Sequence, residues 1–206
     1  MPGTSLNALA RMVIQLILIG YVLSYIFAAQ HSWYVLATLS IMLIAASWIA
    51  LRSVAKQRLQ LYPIALISTV FVNALILLLI TQFVLNSDPW FAPSVVIPLA
   101  GMVFAAGMNA ISLFAERYFA ELNRGEPIAT ARNIAFQATM IPITNSLFAV
   151  GLVSLPGMMT GQILSGVSPL IAVRYQIMVM LMLFASSGLT AAMFYKLLQK
   201  RNKNQK

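Results

Sequence analysis

The sequence predicts an all-α, polytopic membrane protein: a bundle of about six transmembrane helices with both termini cytoplasmic and a broken Pro/Gly segment before the last helix. Three observations predict it. Hydrophobic residues make up 61% of the 206 positions and charged residues 8%, a usage outside that of soluble domains. No Asp, Glu, Lys or Arg occurs in 12–51, 59–87, 89–115, 133–173 or 175–195, and helices crossing lipid exclude such groups because an ionised side chain at the bilayer centre is costly. The cations, 13 Lys and Arg against 4 Asp and Glu for a net charge of +9, sit between these apolar blocks. A nucleic-acid binder would gather them into a stripe on a soluble domain, so no nucleic-acid partner is expected.

About 20 apolar residues cross a bilayer core, so the first gap holds two helices, 12–29 and 33–51, parted by Gln30, His31 and Ser32. Helices over 62–85 and 94–115 fill the next two gaps, and Asp88 in Asn-Ser-Asp-Pro-Trp is a turn residue between them. The fifth and sixth helices are placed at 135–154 and 175–195. The long gap 133–173 could instead hold a second tight hairpin. Positive-inside counting decides between the two versions. Six passes from an inside N-terminus put inside Arg11, then Arg52, Lys56 and Arg58, then Arg117, Arg124 and Arg132, then Lys196, Lys200, Arg201, Lys203 and Lys206; Arg174 alone falls outside. A seventh pass would move the basic tail 196–206 to the wrong face. Leu155 to Pro169 is therefore a broken, partly inserted segment, interrupted by Pro156, Gly157, Gly161 and Gly166.

Aromatic anchors agree with this topology: Tyr25, Trp33, Tyr34, Trp90 and Phe91 near one interface, Trp48, Tyr62, Tyr118 and Tyr195 near the other. The first hydrophobic stretch is too long for a signal-peptide core and is expected to remain as helix one. Residues 1–206 are read as a single transmembrane domain. The basic tail is a solvated cytoplasmic end with affinity for anionic membrane lipid as a further reading.

Intramembrane hydrolysis needs an activated nucleophile or paired carboxylates, and metal hydrolysis needs clustered ligands. The chain has no cysteine and a single histidine, His31, in a short outer loop. No Gly-rich phosphate loop ending in Lys-Ser or Lys-Thr is present. The chain by itself is thus not expected to be an enzyme or to hold a cofactor.

Two segments stand out from the apolar background. The inner loop, about 116–134, carries three of the four acidic residues together with three arginines. Within it Gly125 can reverse the chain and Pro127 suits the first turn of a helix, so a short helix at the cytoplasmic face could dock a soluble partner, or the loop could simply be solvated. The second segment is Gly151-Leu-Val-Ser-Leu-Pro-Gly-Met-Met-Thr-Gly161. Pro156 and Gly157 would free backbone groups that lipid cannot satisfy, which points to a water-filled path; close helix packing through Gly157 and Gly161 is the alternative.

The run from Ile141-Pro-Ile-Thr-Asn-Ser146 through Gly151 to Gln162 and on to Val-Arg-Tyr-Gln-Ile-Met178 resembles the FetB-type ABC transporter permease family. That family includes a bacterial iron-export permease and plant proteins of aluminium tolerance. Gln15-Leu-Ile-Leu-Ile-Gly-Tyr21 and Val96-Ile-Pro-Leu-Ala-Gly-Met102 are similar to family segments as well. The likeness covers nearly the whole chain and is strongest after Met140. Two departures stand beside it. The stretch from Gly125 to Pro142 is shorter than usual by about one helical turn, and family members generally carry a further hydrophobic helix ahead of the segment near Arg11. The second departure implies either a late start assignment or a six-helix subtype.

The resemblance implies a permease subunit of the bacterial inner membrane, paired as a homodimer with separate ABC ATP-binding subunits that bind the ATP, exporting a metal ion such as iron. By position, Glu121, Arg124, Gly125 and Pro127 take the ATPase-coupling role. The substrate path is assigned to Asn145, Gln162 and Gln176 amides, to backbone freed around Pro156 and Gly157, and to the Met158 and Met159 thioethers, which suit soft metals but also serve as packing filler. No metal ligand is assigned firmly. A secondary transporter or channel working without ATP, and a membrane subunit that only assembles a partner, are the other two classes. The first usually places ionisable groups within its helices, and the second has no need of a broken helix.

Overall fold

The computed structural model describes residues 2–29 and 31–204. Its helices are α1 (Pro2–Ala29), α2 (Ser32–Ala50), α3 (Arg58–Leu78), α4 (Pro93–Asn123), α5 (Ile128–Ala149), α6 (Gly157–Leu164) and α7 (Pro169–Asn204). A 3-10 segment, Arg52–Gln57, leads into α3, and a π-type turn, Leu79–Val84, ends it. Among the described residues no strand forms; the one β-type contact joins Val150 and Ser154 in a loop.

The all-α membrane bundle is present. Five stretches are long and apolar enough to cross a bilayer: Leu9–Phe27, Ser32–Ala50, Arg52–Val84, Pro93–Asn123 and Pro169–Arg201. The sixth long helix, α5, has 22 residues, about 33 Å at 1.5 Å per residue, and so equals the hydrocarbon thickness. It is missing from the apolar set because Thr130, Arg132, Asn133, Gln137, Thr139, Thr144, Asn145 and Ser146 dilute it. It nevertheless runs the length of the bundle: Ala131 and Ala135 pack with Phe194 and Leu198 at one end, and Leu147 and Val150 face Val173 and Ile177 at the other.

Three packing layers order the bundle. At the cationic end, Phe114 stacks on Tyr118 and meets Phe194 edge-on, closed by Leu51, Leu61 and Leu198. The middle layer sets Val72 and Ile76 of α3, Val103 and Phe104 of α4, and Val179 and Met182 of α7 together. At the far end Ile26, Val35, Val96 and Ile97 join α1 and α2 to α4. Apart from this contact α1 exposes apolar side chains between Leu9 and Phe27, such as Leu16, Ile17 and Leu18, as a lipid-facing helix does. Trp48 and Tyr62 pack edge to face at the cationic end, where the Arg58 guanidinium lies 3.7 Å over the Trp48 ring and donates to the Trp48 carbonyl at 2.6 and 3.0 Å. That cation fastens the C-terminal end of α2, where helix carbonyls lack partners.

Several boundaries depart from the expected ones. The first helix reaches back to Pro2, past Arg11; Gln30, expected in the first break, and Lys206 lie outside the described residues. The fifth helix occupies 128–149 rather than 135–154, because the Ala-rich residues after Pro127 continue without interruption into the membrane segment; the expected separate surface helix is its first turns. The last helix starts at Pro169, not 175, since Pro is suited to an N-terminal turn. It also carries the basic segment onward: Leu198 is buried and Arg201 Nη1 donates to the Gln60 carbonyl at 2.7 Å. Up to Arg201 the tail is helical, with Leu198 packed inward and Lys196 and Lys200 exposed.

Candidate functional site

At the cationic end, the connection from α4 to α5 is only Arg124 to Pro127. Glu116 to Asn123 are helical, so the expected loop of 116–134 shrinks to a tight turn. Gly125 makes the turn with φ +88°, its amide bonding to the Leu122 carbonyl at 3.0 Å and the Glu126 amide reaching the Glu121 carbonyl at 3.2 Å. A left-handed glycine just past the last helical residue closes the helix carbonyls in this way. Glu121 is buried, and its Oε1 accepts from Arg117 at 2.8 Å and from Arg124 at 3.0 Å. Its carboxylate is therefore spent inside the chain, clamping the end of α4, while Arg124, Gly125, Glu126 and Pro127 are exposed at the tip.

In the middle of the bundle, α5 turns two unlike faces. Ala131, Ala135 and Thr139 are buried against α4 and α7. Asn133, Gln137, Ile141 and Asn145, spaced by four residues and so on one helical face, are exposed. Asn133 and Gln137 line a cavity of about 420 Å³ with Phe114 and Tyr195, and Arg132 donates to Asn133 Oδ1 at 2.8 and 3.0 Å; on the other side of α5 a cavity of about 370 Å³ opens between α4, α5 and α7, with Asn109, Thr139, Ser146 and Ser187 among its lining. Pro142 lines it too, and having no N–H it leaves the carbonyl one turn earlier without its helical donor.

Deeper in the core, α3, α4 and α7 share a buried polar knot. Ser186 Oγ lies 2.6 Å from Asn73 Oδ1 and 2.9 Å from the Val103 carbonyl. A hydroxyl has one hydrogen and cannot donate to both. Turning the Asn73 amide lets its N–H₂ donate to Ser186 while Ser186 donates to Val103, and it resolves the otherwise unpartnered Asn73 Nδ2. The knot requires Gly107: a Cβ there would stand 2.9 Å from the Asn73 amide and 3.2 Å from Thr190 Oγ1.

At the opposite end the chain breaks at 150–156. Gly151, with φ +82°, turns it, and Pro156 precedes α6 as its N-cap. Pro156 and Gly157 thus begin a short helix and do not kink a spanning one. Gly157 and Gly161 have nothing within 4 Å of a built Cβ, so within this chain the close-packing alternative has no contact behind it. The expected path residues divide between two cavities on either side of α6 and α7. Met158 and Gln162 line one of about 560 Å³ with Asp88, Met102 and Met178. Met159 and Gln176 line the other, about 310 Å³, with Leu147 and Val150 of the α5 end. Gln162 Oε1 and Gln176 Oε1 are both buried without a partner. Asn145 joins neither.

Sequence reasoning missed Asn73, Gly107 and Ser186, whose meeting is tertiary, and it read Asp88 only as a turn. It named Asn145 but not Asn133 and Gln137, although their four-residue spacing was legible.

Among known proteins, the profile of the Uncharacterised protein family (UPF0014) matches residues 3–202. A UPF0014 membrane protein of Synechocystis is 33% identical over 205 residues, covering 92% of this chain and 79% of its own. The probable iron export permease protein FetB of Escherichia coli is 34% identical over 201 residues, covering 89% and 75%. The protein ALUMINUM SENSITIVE 3 of Arabidopsis thaliana is 30% identical over 211 residues, covering 93% and 74%. No solved structure matches. The chain belongs to the UPF0014 family, and the resemblance to the iron-export permease and to the plant aluminium proteins holds over most of its length.

Proposed function

We propose that this UPF0014 member is the membrane-spanning subunit of an exporter in the bacterial inner membrane, driven by separate ABC ATP-binding subunits and moving a metal ion such as iron. Two copies work as a pair, and all ATP is bound by the partners. The metal cargo is taken from the relative named as an iron export permease.

One observation carries the reading: α5 spans the bundle yet exposes Asn133, Gln137 and Asn145, the first two on a cavity they line with Phe114 and Tyr195. Amides at membrane depth are tolerated against protein or water and not against lipid. A side-chain amide both donates and accepts, so the same stripe on a second copy is complementary to it across a two-fold axis. The seam between the copies, widened by the cavity that Asn133 and Gln137 line, is the hydrated conduit. The coupling tip is Arg124 to Pro127. Because Glu121 clamps the end of α4 and α5 begins at the next turn, a push on the tip moves both helices together.

The chain has no native cysteine, so single cysteines report cleanly. With the ATP-binding subunits reconstituted, iron is expected to stimulate ATP hydrolysis. A water-soluble maleimide should label Q137C and N145C in a nucleotide-dependent way and leave I17C on α1 untouched. Hydrolysis indifferent to every metal tried, with Q137C and N145C sealed in all nucleotide states, overturns the reading.

A further inference from the structure

We propose that the cavity at the outer end of the bundle is a binding site for a soft, singly charged cation of the Cu(I) type. It lies between α4, α6, α7 and the connection before α4, and encloses about 560 Å³. Three helices each bring one methionine to its lining: Met102 from α4, Met158 from α6 and Met178 from α7. Gln162, one turn beyond Met158 on the same face of α6, presents a buried Oε1 that has no hydrogen-bond partner. Asp88 enters from the connection, and it is the only carboxylate side chain of the sequence outside the Glu116–Glu126 segment.

The donor set defines the ion. Thioethers are soft, neutral ligands that select Cu(I) and ions like it, whereas hard dications take carboxylate, carbonyl and water oxygen. One carboxylate balances one positive charge, and the amide oxygen adds a dipole without further charge. Zinc is disfavoured by the lack of thiolate and imidazole in the cavity. Packing alone accounts for methionines, which fill irregular gaps, but any apolar side chain would serve that purpose. It leaves the buried, unpartnered amide oxygen of Gln162 without a role, beside a carboxylate, Asp88, exposed at the cavity's edge. The inference goes beyond the export reading, because equilibrium binding here needs neither ATP nor a partner subunit.

The test uses the purified full chain in detergent micelles under anaerobic conditions, with Cu(I) supplied in competition with the chromogenic chelator bicinchoninate. The background is low, since the sequence has no cysteine and one histidine. One Cu(I) per chain is expected. The triple variant M102L/M158L/M178L keeps side-chain volume and should weaken binding about tenfold or more, with D88N weakening it by a smaller factor. Each single Met→Leu variant is measured as well, so that a poorly folding triple variant does not decide the matter; each should weaken binding measurably. Absence of Cu(I) binding by the native chain, equal affinity in every Met→Leu variant, or displacement of Cu(I) by equimolar Fe(II) overturns the assignment. None of those results touches metal-stimulated ATP hydrolysis, which tests the export reading separately.

Discussion

The α3–α4–α7 core and the α5–α6 flank treat polar side chains in opposite ways. In the core, Asn73, Ser186 and the Val103 carbonyl satisfy one another, and the backbone of α4 comes close enough at Gly107 to hold them. On the flank, Asn133, Gln137 and Asn145 are exposed, Asn133 bonded only to the neighbouring Arg132 and Gln137 and Asn145 to no other side chain among the described residues, and a Cβ on either glycine of α6 would meet nothing within 4 Å. Polar groups that find partners inside one chain are glue. Those left facing outward at membrane depth lack such partners, and lipid does not supply them.

Stability measurements can break this contrast. The largest effect is expected for G107V, which drives a branched side chain into the Asn73 amide and Thr190; overpacking of this kind costs about 3 kcal/mol or more when a hydrogen-bond knot goes with it. Thermal denaturation in micelles should show it, with G161A as the matched control. That exposed helical glycine should tolerate the methyl or gain up to about 0.5–1 kcal/mol from it. A G107V chain as stable as the native one would remove the knot from the core.

N73L comes next. Interhelical hydrogen bonds in membranes average about 0.6 kcal/mol and reach about 1.7, so a loss of roughly 1 kcal/mol is expected, and S186A on top of it should add little because the two share one network. Full additivity in the double-mutant cycle would deny that they are coupled.

E121Q should cost less. Its two arginine partners are 40% and 64% exposed, so the solvent-screened pairing contributes about 1 kcal/mol or less. Coupled ATP hydrolysis is the sharper readout: released from the clamp, the α4 end should transmit the partner's motion poorly. Unchanged coupling would return Glu121 to a purely local role.

The smallest stability effect is expected for the pair Q137L/N145L, within about 0.5 kcal/mol in the isolated chain because neither amide has a partner there. Transport by the reconstituted complex should nevertheless fall steeply. A stability loss comparable to that of N73L would mean that α5 is glued like the core and erase the distinction between the regions.

Much of this was legible before any coordinates. Charge-free blocks located the six long helices but not their ends, which run up to ten residues past the apolar spans, since ionised groups and hydrocarbon exclude each other only within the bilayer core. A break near Pro156 and Gly157 could be anticipated, but it falls at 150–156, ahead of the expected 155–169, and 157–164 is helical. What misled was local chemistry at helix ends: Pro127 and Pro169 both open long helices where a surface helix and a later start were expected, because proline at a first turn is compatible with any helix length that follows. Likewise Glu121 looks like a free acidic loop residue until α4 is seen to continue past it and lay Arg117 and Arg124 alongside.

By itself, then, the order of residues determined that the chain is an all-α membrane bundle, which end carries the cations, and that α5 is too polar to face lipid along its whole circumference. Those properties follow from solvation, which acts on each segment separately. Tertiary structure alone decided which polar groups are partnered and which are not: that Asn73 meets Ser186, that Met158 and Gln162 share a cavity with Asp88 while Met159 and Gln176 look the other way, and that the Glu121 carboxylate is already engaged. These are contacts between residues far apart in the chain or on different faces of one helix, and their geometry exists only once the helices have packed.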